Sequence, residues 1–171
     1  MSEVFILRHS KRDADGNLTE EGETLARRIA AGLPHISRAA SSSAPRAIQT
    51  ASILFGRKPG ADTRAGFYTP VEDRAKEVAA YAESNDESFI QAANEIDGGK
   101  MAIGIAEQAA ALDALITEML RQLPADGSGL IVSHGMTIAP AMALRGLEAQ
   151  LPDYVAGYHV QADGSAELYP Q

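Results

Sequence analysis

Two histidines follow the two most continuous apolar runs of the sequence. His9 comes shortly after the apolar residues 4–7, and His134 comes shortly after the apolar residues 130–132. A short apolar run of this kind predicts a strand that is buried on both faces. Because open α/β folds place ligand sites at the carboxyl ends of their strands, we expect both imidazoles to meet in one pocket.

The side chains around these histidines suit a doubly charged oxyanion and its chemistry. Arg8 and Arg46 can each fork onto two phosphate oxygens, and a protonated His134 can donate to the same group. Pro45 favours the first turn of a helix, whose start would add backbone N–H groups. A neutral His9, held through one ring nitrogen by a backbone carbonyl, would present the other nitrogen as a nucleophile. This pattern indicates phosphoryl transfer, which also needs a carboxylic acid to protonate a leaving alkoxide.

The composition limits the class of protein. The 171 residues are 45% hydrophobic and 22% charged, which is typical of an ordinary globular protein, and we treat residues 1–171 as a single domain. The net charge of −8 does not favour nucleic-acid binding. The sequence contains no cysteine, which excludes a disulfide, a thiol nucleophile and a thiolate metal site. Because no signal peptide or membrane span is predicted, we expect a cytoplasmic protein without membrane association.

A phosphate site in an acidic protein requires a local cluster of cationic side chains. The sequence offers one, because Arg8, Lys11 and Arg12 lie within five residues beside His9. The alternative interpretation of Lys11 and Arg12 is a solvated loop.

The remaining pattern alternates strands with helices. It predicts a three-layer α/β/α sandwich with a mostly parallel sheet and an antiparallel edge. Strands are predicted at residues 4–7, 39–43, 62–67, 130–133, 154–161 and 166–169. Helices are predicted from Thr19 to Pro34, from Pro45 to about residue 55, and at residues 71–83, 88–96, 103–123 and 137–147. The buried face of the second helix is predicted to consist of Ile48, Ala51, Ser52 and Phe55.

Four sequence blocks, in this order along the chain, resemble the histidine phosphatase superfamily, the phosphoglycerate mutase-like group. They are Leu-Arg-His-Ser at residues 7–10, Leu-Thr-Glu-Glu-Gly at 18–22, Ser-Ala-Pro-Arg-Ala-Ile-Gln-Thr-Ala at 43–51, and Val-Ser-His-Gly at 132–135. The resemblance spans nearly the whole chain, which is similar in size to a short single-domain branch of the family. It implies a phosphoglycerate mutase-like fold.

The resemblance also implies roles for particular residues. His9 would be transiently phosphorylated, and Arg8, Arg46 and His134 would bind the phosphoryl group. His134 is also placed among the catalytic residues. No metal or organic cofactor is implied.

The sequence departs from the family pattern at two places. Ser10 stands where the family has glycine, and its hydroxyl is predicted to contact the phosphate. Glu72 is the nearest match to the general acid, with Asp73 beside it. A third possibility is that no carboxylate serves as the acid, because a phosphoramidate leaving group needs less protonation than an alkoxide.

These observations predict a metal-independent phosphatase that hydrolyses a phosphomonoester through a phosphohistidine on His9. Its partner would be a small phosphorylated substrate or a phosphoprotein. Two alternatives stay open: a phosphohistidine protein phosphatase of a phosphorelay, and a non-catalytic module that binds phosphate or a partner. A mutase is less favoured, because the chain is short for the insertions that close a mutase site.

Other chemistries fit the sequence less well. A serine hydrolase acting through Ser133 would need glycine in the place of Ile131. The residues around Gly99 and Lys100 do not complete a P-loop. A metal site is not expected, because no two of the four histidines have the spacing of ligands on one helix.

Overall fold

A computed structural model describes residues 1–66, 77–78, 80–81, 83–85, 89–148 and 150–170 of the chain. Its strands are β1 (Glu3–Arg8), β2 (Ile36–Ser41), β3 (Gly60–Ala61), β4 (Ser128–Ser133), β5 (Gly157–Gln161) and β6 (Ala166–Tyr169). Its helices are α1 (Glu20–Ala30), α2 (Pro45–Phe55), α3 (Phe89–Glu95), α4 (Lys100–Gln122) and α5 (Gly135–Leu144), with 3-10 turns at Thr63–Ala65 and Ile96–Gly99.

The strands form one sheet in the order β3-β2-β4-β1-β5-β6. The first four strands in this order are parallel, and β5 runs antiparallel to both β1 and β6. The predicted mostly parallel sheet with an antiparallel edge is therefore confirmed. In register, Arg8 pairs with Ser133 and Ser41 pairs with Val132. The residues that follow β2, β4 and β1 consequently emerge side by side at one edge of the sheet.

Hydrophobic clusters cover both faces of the sheet. On one face, Phe5 and Leu7 of β1 pack with residues of α1 and α2. On the other face, Val4 and Ile6 pack with residues of α4 and α5. This alternation along β1 is the period-two pattern of a strand, and burial on both faces explains why the strand appears as a continuous apolar run. The result is the predicted arrangement of three layers.

The buried face of α2 differs from the prediction. Of the four residues expected there, only Ala51 is buried, while the buried set consists of Arg46, Ala47, Thr50, Ala51 and Leu54. The prediction placed apolar side chains inward, but the helix buries two polar residues. The Thr50 hydroxyl donates to the carbonyl of Arg46 at 2.7 Å and accepts from the backbone N–H of Ser10 at 2.9 Å. These hydrogen bonds offset the cost of burying the hydroxyl of Thr50.

Helix α1 begins as predicted and ends early. The Thr19 hydroxyl accepts from the backbone N–H of Gly22 at 3.0 Å, so Thr19 is the N-cap. The helix stops at Ala30, four residues before Pro34, because backbone bonds of the tighter i→i+3 type close its last turn at Gly32 and Leu33. The chain then extends early enough for β2 to begin at Ile36 instead of residue 39.

The strand predicted at residues 62–67 is wrong over the described residues 62–66. The short β3 precedes it, and a 3-10 turn replaces it. The carboxylate of Asp62 accepts from the backbone N–H of Arg64 at 2.9 Å. A side-chain bond of this kind favours a turn over a strand.

The other helices match the predictions closely where they are described. Helix α3 falls within the predicted 88–96, and α4 begins three residues before the predicted 103. Helix α5 begins at Gly135, two residues before the predicted start, and ends at Leu144, three residues before the predicted end, with His134 as its N-cap. Most of the helix predicted at 71–83 lies outside the described residues. None of the described helices is long and apolar enough to cross a lipid bilayer.

We predict that Gly22→Ala destabilises the protein by about 1–3 kcal/mol, the usual cost of overpacking. Alanine normally stabilises a helix relative to glycine by up to about 1 kcal/mol. Here, however, an added Cβ would lie 2.3 Å from the carbonyl oxygen of Lys11, so backbone must move. Urea unfolding measures the difference in the free energy of unfolding. The control is Glu23→Ala at an exposed position, which should change this free energy by less than about 0.5 kcal/mol. A Gly22→Ala variant as stable as the wild type would contradict this packing.

Candidate active site

Three adjacent strands deliver polar side chains to one point at the carboxyl edge of the sheet. Ser42 follows β2, His134 follows β4 and His9 follows β1. The two imidazole centroids are 5.2 Å apart, and each histidine is only 6% exposed. Arg46, the second residue of α2, is 3% exposed and contacts both rings. The structure therefore brings together three of the site residues predicted from the sequence.

Hydrogen bonds determine which nitrogen of His9 carries the proton. Its Nδ1 lies 2.8 Å from the carbonyl oxygen of Ser10, which can only accept, so Nδ1 donates. The Nε2 atom accepts a hydrogen bond of 3.0 Å from Nε of Arg46. The ring thus has its lone pair at Nε2, directed at the guanidinium.

The same reasoning applies to His134. Its Nδ1 is 3.4 Å from Nη2 of Arg46, and because arginine can only donate, this nitrogen accepts. Its Nε2 then carries the proton and donates to the hydroxyl of Ser42 at 2.7 Å. Arg46 therefore bridges the two imidazoles through two different nitrogens of one guanidinium.

Ser10 connects the site to two helices. Its backbone N–H donates to Thr50 of α2, and its hydroxyl donates to the carbonyl of Gly22 in α1 at 2.7 Å. Ser10 is not among the residues with positive φ, so a serine side chain fits this backbone. Because its hydroxyl proton is donated to Gly22 and a phosphate dianion has only acceptor oxygens, the Ser10 hydroxyl in this arrangement has no proton for a phosphate, and its role there stays a prediction.

Arg8 is held by the segment between residues 152 and 156. Its Nη1 donates to the carbonyl of Pro152 at 3.0 Å, and its guanidinium carbon lies 4.2 Å from the centroid of the Tyr154 ring. Its backbone N–H donates to Ala156, and its carbonyl accepts from Val155. Val155 has a φ of 53°, which is strained for a β-branched residue. The protein thus holds this arginine by both backbone and side chain.

A glycine packs directly against the second histidine. A Cβ built on Gly66 would lie 2.6 Å from Cδ2 of His134, and the φ of Gly66 is 133°. The turn before this glycine is anchored to α4, because Arg64 donates to Asp62 at 2.7 Å and to Glu118 at 2.6 Å. Gly66 therefore limits the positions that the His134 ring can take.

Burial keeps both imidazoles neutral. Desolvation lowers the pKa of His9 to about 3, and the positive charge of Arg46 acts in the same direction, although the hydrogen bond to Ser10 opposes it. Desolvation also holds the pKa of His134 well below its ordinary value, with His9 and Arg46 as further causes. Both histidines stand near helix N-termini, which disfavour cations. A protonated His134 would therefore require a bound anion to raise the pKa again.

The remaining predicted residues lie elsewhere or are not described. Glu72 and Asp73 fall outside the described residues. His159 lies outside the site, where its ring stacks on Phe5 with centroids 4.7 Å apart and its Nε2 lies 2.7 Å from the Glu3 carboxylate. Within the described ranges, no three His, Asp or Glu side chains form a group that could hold a metal ion.

Sequence reasoning missed Ser42, Gly66 and Tyr154. Ser42 had a usable signal, since it follows a strand just as the two histidines do. The other two residues contact the site through long-range packing, and nothing in their neighbouring sequence indicates it.

We predict that His9 makes the protein less stable as the pH falls. Unfolded His9 titrates near its ordinary pKa of 6.5, whereas the folded pKa is about 3. Between these values the unfolded state binds more protons, so lowering the pH removes up to about 1.4 kcal/mol per pH unit at this residue. His9→Asn should make the dependence shallower by about that amount in urea unfolding between about pH 4 and pH 6. Equal slopes in both proteins would contradict the lowered pKa.

Several solved structures share the fold. Phosphoglycerate mutase from Bacillus anthracis strain Sterne is 19% identical, with a TM-score of 0.69 over 98% of this chain and 91% of that chain. A mycobacterial glucosyl-3-phosphoglycerate phosphatase in complex with VO3 is 20% identical, with a TM-score of 0.65 over 97% of this chain and 96% of that one. A protein called mycobacterial hydrolase 1 is 21% identical, with a TM-score of 0.69 over 98% and 96%. At these identities the likeness concerns the fold alone.

The sequence profile of one family matches most of the chain. No curated protein matches the sequence significantly. The profile of the histidine phosphatase superfamily (branch 1) matches residues 7–159, which include Arg8, His9, Arg46 and His134. The chain therefore belongs to the histidine phosphatase superfamily.

Proposed function

We propose that the protein is a metal-independent phosphatase that hydrolyses a phosphomonoester through a phosphohistidine at Nε2 of His9. The observation that carries this proposal is the state of that imidazole. Burial keeps it neutral, the Ser10 carbonyl holds the proton on Nδ1, and the lone pair of Nε2 faces Arg46. Membership of the family supports a phosphatase-type activity.

The two arginines provide the charge that a phosphate dianion needs. Arg46 donates from Nε to Nε2 of His9, and a phosphate oxygen is a stronger acceptor than an imidazole. Binding of the dianion would therefore transfer this hydrogen bond to the phosphate and release the lone pair of His9. Arg8 would contact other oxygens of the phosphate. The N-termini of α2 and α5 add the positive ends of two helix dipoles.

The reaction then proceeds in two displacements. In the first, Nε2 of His9 forms a bond to phosphorus while the bond from phosphorus to the ester oxygen breaks. The leaving oxygen takes a proton from a carboxylic acid, for which we propose Glu72. In the second, water attacks phosphorus, the phosphorus–nitrogen bond breaks, and the carboxylate takes the proton of the water. The products are the alcohol, inorganic phosphate and the original neutral His9.

We predict that His9→Ala lowers turnover of p-nitrophenyl phosphate by roughly 10³-fold or more, with chelator present and no metal added. The reason is the loss of the nucleophile. His35→Ala is the matched control, because His35 is an exposed histidine outside the site, and it should keep wild-type turnover. Thermal unfolding of both variants checks that the fold persists.

The outcomes of this experiment separate the candidate functions. Full turnover in His9→Ala would exclude the proposed nucleophile. A wild-type protein that binds inorganic phosphate but turns over neither p-nitrophenyl phosphate nor phosphohistidine would be a binding module. Turnover of phosphohistidine alone would identify a phosphohistidine phosphatase.

We predict that Glu72→Gln slows the hydrolysis of alkyl phosphates far more than that of p-nitrophenyl phosphate. An alkoxide needs a proton in order to leave, whereas a stabilised phenolate does not. Comparison of kcat/KM for the two substrates measures the difference, with Asp73→Asn as the matched control. Equal losses on both substrates would show that Glu72 is not the acid.

A further inference from the structure

A cavity adjoins the proposed reaction centre along helix α1. It has a volume of about 450 Å³ and lies between α1 and residues 153–156. Neither the two histidines nor the two arginines of the site line it. The proposed phosphatase chemistry therefore gives this cavity no role.

Tyr154 connects the cavity with the site. Its ring lies 4.2 Å from the guanidinium carbon of Arg8 and 6.1 Å from the centroid of the His9 ring, and the same residue lines the cavity. Lys11, two residues beyond His9, lines the cavity as well. A group attached to a phosphoryl at His9 and leaving past Tyr154 would therefore enter this cavity.

The cavity is long compared with a small leaving group. Its wall on α1 extends from Glu21 to Ile29. Eight residue steps at about 1.5 Å of helical rise give a length of about 12 Å. The end near Lys11 and Glu21 is the one nearer to the proposed phosphoryl site at His9, and residues of the last turn of α1 lie at the other end.

The polarity of the wall changes along this length. Lys11 and Glu21 form an ion pair near the site, and the acidic residue Asp153 also lines the cavity, so the charge of Lys11 is balanced. The middle presents the half-buried apolar side chain of Leu25, and Ile29, which is also half-buried and apolar, lies at the far end. Arg28 lies in the last turn of α1 and forms no salt bridge with any described residue. The cavity thus has an apolar middle and an available cation near its far end.

We propose that this cavity binds the leaving group of the substrate, and that the leaving group is an elongated chain with an apolar middle and an anionic end. This inference rests on the proposed phosphoryl site at His9. The apolar middle would pack on Leu25, and the anionic end would pair with Arg28 beside Ile29. The substrate class is then a phosphomonoester of a long ω-hydroxy acid or a compound of the same shape and charge.

The test is the binding of two series of phosphonates, which cannot be hydrolysed, measured by calorimetry with the full chain. One series has a plain alkyl chain, and the other ends in a carboxylate. Each added methylene should lower Kd by up to about fourfold until the chain spans the cavity, since each one buries apolar surface. The terminal carboxylate should lower Kd by a further factor of up to about five, the most that an exposed ion pair provides.

Three variants assign these effects to the cavity. Arg28→Gln should remove the advantage of the carboxylate series over the alkyl series. Arg27→Gln is the matched control, because Arg27 lies in the same turn but pairs with Glu23 on the surface, and it should keep that advantage. Thr24→Trp should fill the cavity and remove the dependence on chain length.

A Kd that does not change with chain length would overturn the inference. It would also be overturned if the carboxylate series kept its advantage in Arg28→Gln. Turnover of p-nitrophenyl phosphate reports separately on the proposed function. Turnover together with phosphonate binding that ignores chain length would overturn only the role of the cavity. Failure to bind any phosphonate would overturn both proposals.

Discussion

The burial of one guanidinium is the constraint on which this site depends. Arg46 is 3% exposed and always charged, so it needs acceptors within the protein. Nε2 of His9 and Nδ1 of His134 are two of them. Each can accept only when its ring is neutral and its other nitrogen carries the proton. The Ser10 carbonyl and the Ser42 hydroxyl meet that second condition. The charged arginine thus defines the protonation of both imidazoles.

The fold supplies this arrangement through the order of its strands. Because β2, β4 and β1 are parallel neighbours, the residues after them emerge together without any long loop. Arg8 needs a further device, since its guanidinium is held by a segment distant in sequence. The left-handed conformation of Val155 costs about 1–3 kcal/mol in general, and such strain persists only where surrounding structure enforces it. Hydrogen bonds from both sides of Arg8 to residues 155 and 156 provide that enforcement.

The features that the sequence could predict are those that depend on local interactions. Buried parallel strands appear as apolar runs, so β1, β4 and the positions of His9 and His134 were predictable, and with them the fold class. The buried face of α2 was not predictable, because Arg46 and Thr50 are buried by polar contacts that hydrophobic periodicity does not indicate. Gly66 and Tyr154 were missed because their site contacts join residues more than sixty positions apart. The general acid stays a prediction, since Glu72 lies outside the described residues.

The neutrality of the histidines also sets the charge that the site offers to a ligand. Among these four side chains, the two arginines contribute a charge of about +2 when both imidazoles are neutral, which would suit the phosphomonoester dianion of the proposed reaction near neutral pH. Protonated imidazoles would double that charge and would also remove the lone pair needed for attack. They would favour tight retention of inorganic phosphate, the product. Because the chain as a whole has a net charge of −8, the attraction of an anionic substrate must come from the positive charges of the site itself. In the proposed reaction, desolvation would therefore serve both nucleophilicity and product release.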